Sequence, residues 1–387
     1  MKKSLIFVLL ALIVLLPTAC APKEAAAPAT IKIGFSGALS GDQAVWGQAD
    51  RDGLLLTVEQ MNAAGGILGK KVEVIAYDDK GDQLEAVNVT KRLINEDKVV
   101  AIIGTNSSGR NIAMAPVAEA GKVPVISTFG TNPRVTVPEA GGKAMQYTFR
   151  ACFIDPYTGE VTAKFAKEDL GAKTAAVLYE ISSDYSVGVR DFFTKAWTDL
   201  GGTIVADEAF KTGDVDFRAQ LTRIKEANPD VLVMPFLYKE VALSAKQARD
   251  LGIKAIMLGG DGWPSNALLE MAGDAVEGSY FINHADVDAP NVKEFRTEYE
   301  KKYGKTMEIN ALLAHDAMLM VKAAIEKAGK AEPVAIRDAL ENLKGVEAFT
   351  GTINMDPVTH NPIGKAAVII KIENKKFVFF KLFSPMK

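Results

Sequence analysis

The loop at residues 104–111 has the composition of an anion-binding site. An apolar run at residues 99–103 predicts a buried strand, and a helical pattern begins at Asn111. Small and polar residues, among them Asn106, Ser107 and Ser108, connect the two. The first N–H groups of a helix have no intrahelical partner, so an anion is stabilised beside them. The sequence therefore predicts an anion site here, in a protein that either holds or transforms its ligand.

The chain lacks the residue patterns of common catalytic sites. None of its three histidines, His284, His315 and His360, has a second metal ligand at helical or hairpin spacing. Phosphate-binding, nucleophile-elbow and C-x-x-C motifs do not occur. The pair Asp78-Asp79 follows a predicted strand and is typical of a turn. The sequence thus predicts a protein that is not an enzyme and that uses no cofactor or metal ion.

Strand and helix patterns alternate twice along the chain, which predicts an α/β fold of two similar, doubly wound lobes with parallel sheets. The predicted strands are at residues 31–39, 71–77, 99–104, 123–129, 174–180, 203–210, 230–236 and 255–261. The predicted helices between them are at residues 46–64, 83–96, 110–121, 156–169, 186–200, 215–227 and 239–251.

The last third of the chain is mainly helical, at residues 291–303, 309–328 and 332–343, and closes with a hairpin at 366–372 and 376–383. This part must pack on the existing lobes, so we expect several crossings and a hinge. The predicted division is residues 30–148 with 279–350 in lobe 1, and 149–278 with 351–387 in lobe 2. Ligands of such sheets bind beyond the carboxyl ends of the strands, which here face the cleft between the lobes.

The N-terminus has the pattern of a secretory signal at residues 1–19. Lys2 and Lys3 precede an apolar run at residues 5–16 that is too short to span a bilayer. Cys20 follows small residues and predicts lipidation; ordinary cleavage after Ala21 is the alternative. Residues 20–29 are rich in proline and alanine and suit a linker between a lipid anchor and the fold. The predicted location is the outer side of the cytoplasmic membrane, in a periplasm or on the cell surface.

Composition narrows the class of partner. The chain has 48 acidic and 45 basic residues, a net charge of −3, which argues against a nucleic-acid partner. Beyond Cys20 the only cysteine is Cys152, in an apolar segment, so we expect a buried thiol and no internal disulfide.

Eight segments in the right order resemble one known family over residues 30–385. They are GALSGDQAVWGQ (37–48), NAAGGILGKKVEV (62–74), YDDKGD (77–82), AIIGTNSSG (101–109), VISTFGTNP (125–133), SSDYSVG (182–188), LGGDG (258–262) and AGDAVEG (272–278). The chain resembles the Leu/Ile/Val-binding class of type I periplasmic binding proteins, the substrate-binding components of branched-chain amino-acid ABC importers. The resemblance implies two lobes joined by three crossovers.

The resemblance also implies how the ligand is held. The family binds the α-carboxylate of an amino acid in the first lobe, here at Ser108 and at the loop of Gly130 and Thr131. It binds the α-ammonium in the second lobe, where Asp261 occupies the matching position. The anion of the opening loop is then a carboxylate that is held and not transformed.

Aromatic residues complete the implied site. Tyr185 matches an aromatic contact from the second lobe, and Trp46 matches one from the first. Tyr238 either narrows the pocket, stacks on a flat ligand or packs at a strand end. Asn106 and Ser107 stand where branched-chain binders have more apolar residues, so either Asn106 turns away or the ligand carries a polar group.

The expected partners are a small amino acid, the membrane subunits of an ABC permease and the membrane through the lipid anchor, with the protein a monomer. Receptors of the same fold for small amides, urea or aromatic acids remain an alternative, although Asp261 argues against them. A sensory receptor is a further alternative. A hydrolase would need a nucleophile–base pair that the sequence does not offer.

Two histidines lie outside the implied site. We interpret His315 as a packed helix residue, and we assign no role to His284.

Overall fold

The computed structural model describes residues 30–383. The predicted signal, Cys20 and the linker lie outside this range, and so do residues 384–387. Within the described part, no helix has the length and apolar character that crossing a membrane requires. Within the same part, no group of three or more histidine, cysteine, aspartate or glutamate side chains is arranged to hold a metal ion.

Two sheets organise the molecule. The five-stranded sheet has the order β2–β1–β3–β4–β5 and is parallel throughout. Its strands are β1 (Ile31–Gly37), β2 (Val72–Asp78), β3 (Ala101–Ile103), β4 (Val125–Ser127) and β5 (Thr148–Arg150). The central strands are short apolar segments buried on both faces, as parallel sheets covered by helices require.

The seven-stranded sheet has the order β14–β13–β10–β9–β8–β6–β7. Its strands are β6 (Thr174–Glu180), β7 (Thr203–Phe210), β8 (Val231–Val233), β9 (Ile256–Gly259), β10 (Tyr280–Asn283), β13 (Ala367–Glu373) and β14 (Lys376–Phe383). The last two form the predicted hairpin: β13 pairs antiparallel with β10, and β14 pairs antiparallel with β13. A separate antiparallel pair consists of β11 (Asn354–Met355) and β12 (Pro362–Ile363).

Helices cover both sheets. They are α1 (Ala44–Ala63), α2 (Gln83–Arg92), α3 (Ser108–Gly121), α4 (Asp155–Lys164), α5 (Asp184–Asp199), α6 (Arg218–Ala227), α7 (Tyr238–Asp250), α8 (Asn266–Ala272), α9 (Lys293–Tyr303), α10 (Asn310–Ala328) and α11 (Pro333–Glu341). π-Helical turns at Leu93–Asp97 and Phe165–Asp169 extend α2 and α4 to the predicted ends. Helix α10 packs along α1, and Gly53 permits the approach because a Cβ there would lie 2.5 Å from the Ala311 carbonyl oxygen.

The chain passes between the sheets three times: after β5, after β10 and before β13. Strand β10 lies in the seven-stranded sheet, whereas the predicted division assigns residues 279–350 to lobe 1. Ile353 and Met355 pack in the core of the five-stranded sheet, whereas the predicted division assigns residues 351–387 to lobe 2. Strand β10 was missed because its four residues follow directly on a turn. Below, the first lobe is the five-stranded sheet with its packed helices, and the second lobe is the seven-stranded sheet with its helices.

Candidate functional site

The opening loop leads directly into α3. Ser107 precedes the helix with extended backbone (φ −143°, ψ 132°) and makes no side-chain capping bond. Ser108 is the first helical residue and is buried, and its hydroxyl oxygen accepts a hydrogen bond from the Asn132 backbone N–H at 3.1 Å. The Ser108 side chain is therefore held between the helix start and the loop after β4. This joins the two loops that the sequence predicts for carboxylate binding.

The loop after β4 supports the site through its backbone. The Gly130 N–H donates to the Ser127 hydroxyl at 2.8 Å, and the Gly130 carbonyl accepts from Arg150 at 2.6 Å. Thr131 is fully buried. Neither Gly130 nor Thr131, both predicted ligand contacts, lies on the cavity wall; Phe129 does. Arg150 and Ser127 engage the backbone of Gly130, and the Thr131 carbonyl accepts from the Asp155 N–H at 3.0 Å, so both residues are held behind the wall.

Asp261 lies in the loop after β9 and is 2% exposed. Its Oδ2 lies 3.0 Å from Nε2 of His284. Burial lowers the pKa of His284, although the hydrogen bond to Asp261 opposes this shift. A neutral imidazole facing a carboxylate must carry its proton on Nε2 in order to donate. His284, which the sequence left without a role, therefore orients the Asp261 carboxylate without neutralising it.

Close packing fixes the loop that carries Asp261. The Gly262 N–H donates to the Tyr185 hydroxyl oxygen at 3.1 Å. A Cβ on Gly260 would lie 2.5 Å from the same hydroxyl oxygen, and one on Gly259 would lie 2.2 Å from the Trp263 ring. The glycines on either side of Asp261 thus allow two aromatic residues to pack against the loop. Burial raises the pKa of Tyr185, with Asp261 and Asp155 adding to the shift, so its hydroxyl stays protonated.

The two lobes meet around α1 and the start of α7. The Trp46 indole N–H donates to the Pro264 carbonyl at 3.1 Å, and the Trp46 and Tyr238 rings pack edge to face at 5.0 Å. The Tyr238 hydroxyl donates to the Asp42 carbonyl at 2.9 Å, and Lys239 Nζ lies 2.6 Å from the Asp42 carboxylate. These contacts connect residues that lie about half the chain apart and hold the lobes closed.

A cavity of about 230 Å³ lies between the closed lobes. Seven of the nine predicted ligand contacts line it: Trp46, Asn106, Ser107, Ser108, Tyr185, Tyr238 and Asp261. The sequence analysis missed further wall residues, among them Gln43, Gln83, Phe129, Glu180, Leu237, Glu240 and Asn310. Apart from Asn310, these residues lie between the end of a β-strand and the first turn of the helix that follows it, which is the one signal that could have indicated them.

Two carboxyl groups on the wall are partly withdrawn from water. Burial raises the pKa of Glu180, which accepts a hydrogen bond from the Thr212 hydroxyl, and burial also raises the pKa of Glu240. The negative charge of Glu180 adds to the shift of the Glu240 pKa, and Lys239 opposes it. This part of the cavity is therefore unfavourable for a ligand that carries an additional negative charge.

A buried ion pair lies beneath the opening loop. Arg110 in α3 and Asp79 after β2 form it, and their side chains are 1% and 0% exposed. Asp78, in contrast, accepts from the backbone of Leu39 and Lys80, as expected of a turn residue. The sequence analysis assigns no role to Arg110, because its ion-pair partner lies 31 positions away.

The other predicted structural residues pack as expected. Cys152 is a free thiol that is fully buried. His315 contacts the Phe295 and Phe349 rings and bonds to Asp316.

The comparisons with known proteins agree with this fold. Residues 30–376 match the family model described as "Periplasmic binding protein". The chain is 30% identical over 328 residues to the leucine-, isoleucine-, valine-, threonine- and alanine-binding protein of Pseudomonas aeruginosa, which covers 84% of this chain and 86% of that protein. Two lobes, each built on one sheet, with a cavity between them, together with this match, define a solute-binding protein of type I fold. The chain belongs to the periplasmic binding protein family, whose members act outside the cytoplasm and are not enzymes.

Solved structures give the same fold. The leucine binding protein LivK of Thermotoga maritima superposes with a TM-score of 0.85 at 34% identity, covering 92% of this chain and 99% of that one. The LivJ protein of Streptococcus pneumoniae in complex with isoleucine gives 0.84 at 33% identity, covering 92% and 100%. A solute binding protein of Rhodopseudomonas palustris in complex with 3,4-dihydroxybenzoic acid gives 0.81 at 25% identity, covering 92% and 98%.

A second contact between the lobes contains a titratable group. Glu308, just before α10, accepts from the Asn266 N–H at 3.3 Å and from the Ser265 hydroxyl at 3.4 Å. Burial raises the pKa of Glu308 from 4.5 to about 7, and the hydrogen bonds oppose the shift. Between pH 4.5 and about pH 7, the native protein therefore keeps a proton on Glu308 that the unfolded chain has lost. The stability that this proton contributes is complete below pH 4.5 and is lost as the pH rises to about 7.

We expect the free energy of unfolding of the wild type to fall by roughly 2–3 kcal/mol between pH 5 and pH 8 on account of Glu308. Glu308→Gln keeps an acceptor for Asn266 and removes the titration, so its decrease should be smaller by that amount. Denaturant unfolding at several pH values measures the difference. Glu294→Gln, at an exposed position of α9, is the control and should follow the wild type. Parallel pH profiles for wild type and Glu308→Gln would contradict the assignment.

Proposed function

We propose that the protein captures an amino-acid zwitterion in the cavity between its lobes and delivers it to the membrane subunits of an ABC importer. The observation that carries this proposal is the buried Asp261 carboxylate on the cavity wall. Within residues 30–383 it has no lysine or arginine at ion-pair distance: its Oδ2 faces a neutral His284, and the Tyr185 hydroxyl is a further, uncharged donor beside it. A buried carboxylate without a cation is costly, so a ligand with an ammonium group compensates it best.

The first lobe supplies the complementary end of the site. Ser108 and the N-terminus of α3, a helix of 14 residues, contribute a hydroxyl group and unpaired N–H groups. Partial positive charge at a helix start favours an anion by about 0.3–1 kcal/mol at exposed sites and by more when it is buried. The α-carboxylate of an amino acid meets these donors while its α-ammonium meets Asp261, so one zwitterion contacts both lobes.

Hydrogen bonds to charged groups contribute roughly 1.5–3 kcal/mol each. Three or four of them, less the cost of immobilising the ligand, support micromolar affinity, which corresponds to about −8 kcal/mol. Because each charged group of the ligand is bound by a different lobe, binding favours the closed arrangement of the lobes over an open one. The closed form, with Asp42 and Tyr238 in contact, is the form that a permease would distinguish from the empty receptor.

The relatives support an aliphatic amino acid as the ligand class, since the Pseudomonas protein is named for leucine, isoleucine, valine, threonine and alanine. An aromatic acid is the second candidate, because the Rhodopseudomonas relative is bound to 3,4-dihydroxybenzoic acid and Trp46, Phe129, Tyr185 and Tyr238 line the cavity here. Such a ligand would leave Asp261 unpaired, and for this reason we favour the amino acid.

Asp261→Asn should weaken amino-acid binding by about 10- to 100-fold, since it removes the charge that faces the ammonium group. Asparagine keeps an acceptor for His284, so thermal unfolding of the free protein should change little. Titration calorimetry with leucine and threonine measures the effect. The matched control is Glu240→Gln, which also removes one carboxyl group from the cavity wall and should retain most of the affinity. Equal affinities for wild type and Asp261→Asn would refute the proposal.

We further propose that Cys20 carries a lipid anchor, that residues 20–29 form the linker to the fold, and that the protein acts as a monomer. The support is the sequence alone: an apolar leader that ends in small residues and a cysteine, followed by a segment rich in proline and alanine. Two lobes that complete one cavity within a single chain need no second copy.

Cys20→Ser should move the protein from the membrane fraction to the soluble extracytoplasmic fraction, because the residue that would be lipidated is lost. Fractionation with immunodetection measures this. Cys152→Ser is the matched control: it replaces the other cysteine, which is buried in the fold, and should leave the distribution unchanged. Retention of Cys20→Ser on membranes would contradict the lipid anchor.

A further inference from the structure

The amide of Asn106 is buried on the cavity wall in one fixed orientation. Its Oδ1 accepts a hydrogen bond from an Arg110 guanidinium N–H at 2.6 Å. Because arginine only donates, the oxygen of the amide must face Arg110 and the NH₂ group must face the other way. That Nδ2 is buried and has no hydrogen-bond partner within residues 30–383, although Asn106 lines the cavity and is only 9% exposed.

Arg110 cannot easily release this amide. It is paired with the buried carboxylate of Asp79, and it also donates to Gln43 Oε1 at 2.7 Å. Rotating Asn106 to pair its NH₂ group would face that group toward a guanidinium, so a charge-assisted hydrogen bond would be exchanged for two opposed donors. Arg110 is thus a positioning residue that keeps the Asn106 donor unpaired in the empty cavity.

We propose that Asn106 is a specificity-determining residue and that it selects a ligand whose side chain carries a neutral hydrogen-bond acceptor, a hydroxyl or a carboxamide. The inference rests on the proposed function, because the carboxylate and ammonium groups of the ligand are already assigned to Ser108 and Asp261. An aliphatic side chain against Asn106 would leave the amide donor unsatisfied, whereas a side-chain oxygen would accept from it.

The same wall excludes a charged acceptor. Glu180, Asp184 and Glu240 line the cavity, and neither Glu180 nor Glu240 has a lysine or arginine within ion-pair distance in the described part of the chain. Lys239, the cation on the wall, is paired with Asp42, and Asp184 is paired with Arg134. A ligand with a side-chain carboxylate would face these groups at close range. The acceptor is therefore neutral, which separates threonine, serine, asparagine and glutamine from aspartate and glutamate.

Valine and threonine test the inference directly. The two amino acids have the same shape and the same charged groups, and threonine has a hydroxyl group where valine has a methyl group. Calorimetry on the wild type should give threonine an advantage of about tenfold over valine. Leucine and asparagine form a second pair of similar shape and distinguish a carboxamide acceptor from a hydroxyl. Asn106→Leu removes the donor and should abolish or reverse the preference within each pair. Ser182→Ala changes another polar wall residue and should preserve both ratios.

The outcomes separate this inference from the proposed function. Valine bound at least as tightly as threonine, together with leucine bound at least as tightly as asparagine, would overturn the role of Asn106 and leave amino-acid binding intact. A threonine preference that persists in Asn106→Leu would also overturn it, because another residue would then be the source. Failure of every amino acid to bind would contradict the proposed function and this inference together. The wild-type ratios decide the question even if Asn106→Leu does not fold.

Discussion

The Asp261 carboxylate is the group on which the rest of the site depends. Placing a carboxylate in a closed cavity costs several kcal/mol unless a cation or several donors compensate it. Here the neighbouring His284 is neutral, because burial lowers its pKa, and it supplies one hydrogen bond but no charge. The loop can carry this group only because its glycines admit Tyr185 and Trp263 on either side. The fold thus builds a site that a cationic group of the ligand completes.

Closure and ligand recognition use the same elements. Trp46 contacts the second lobe through Pro264 and Tyr238, and it also lines the cavity. The loop before α1 meets α7 through Asp42 and Lys239. The residues that join the lobes also line the cavity or flank it. A ligand that contacts both lobes therefore stabilises the closed state and not an open one.

The sequence predicted the fold well where the signal is local. The strands at residues 174–180, 203–210 and 376–383 match their predicted bounds, since each is a continuous segment between clear turns. It missed β5 and β10, which have three and four residues and owe their pairing to neighbouring strands. For the candidate site, motifs indicated Ser108, Tyr185 and Asp261, which line the cavity. His284, Arg110 and Glu308 were not, because each derives its role from a partner far away in sequence.

The most direct test of the account is calorimetry with leucine and threonine, each compared with its amide and with the acid that lacks the amino group. If one zwitterion contacts both lobes, both amino acids bind, and losing either charge weakens binding by roughly a hundredfold or more, since the facing group is left buried and unpaired. If the acids without an amino group bind as tightly as the amino acids, Asp261 does not bind an ammonium group, and the ligand belongs to another class.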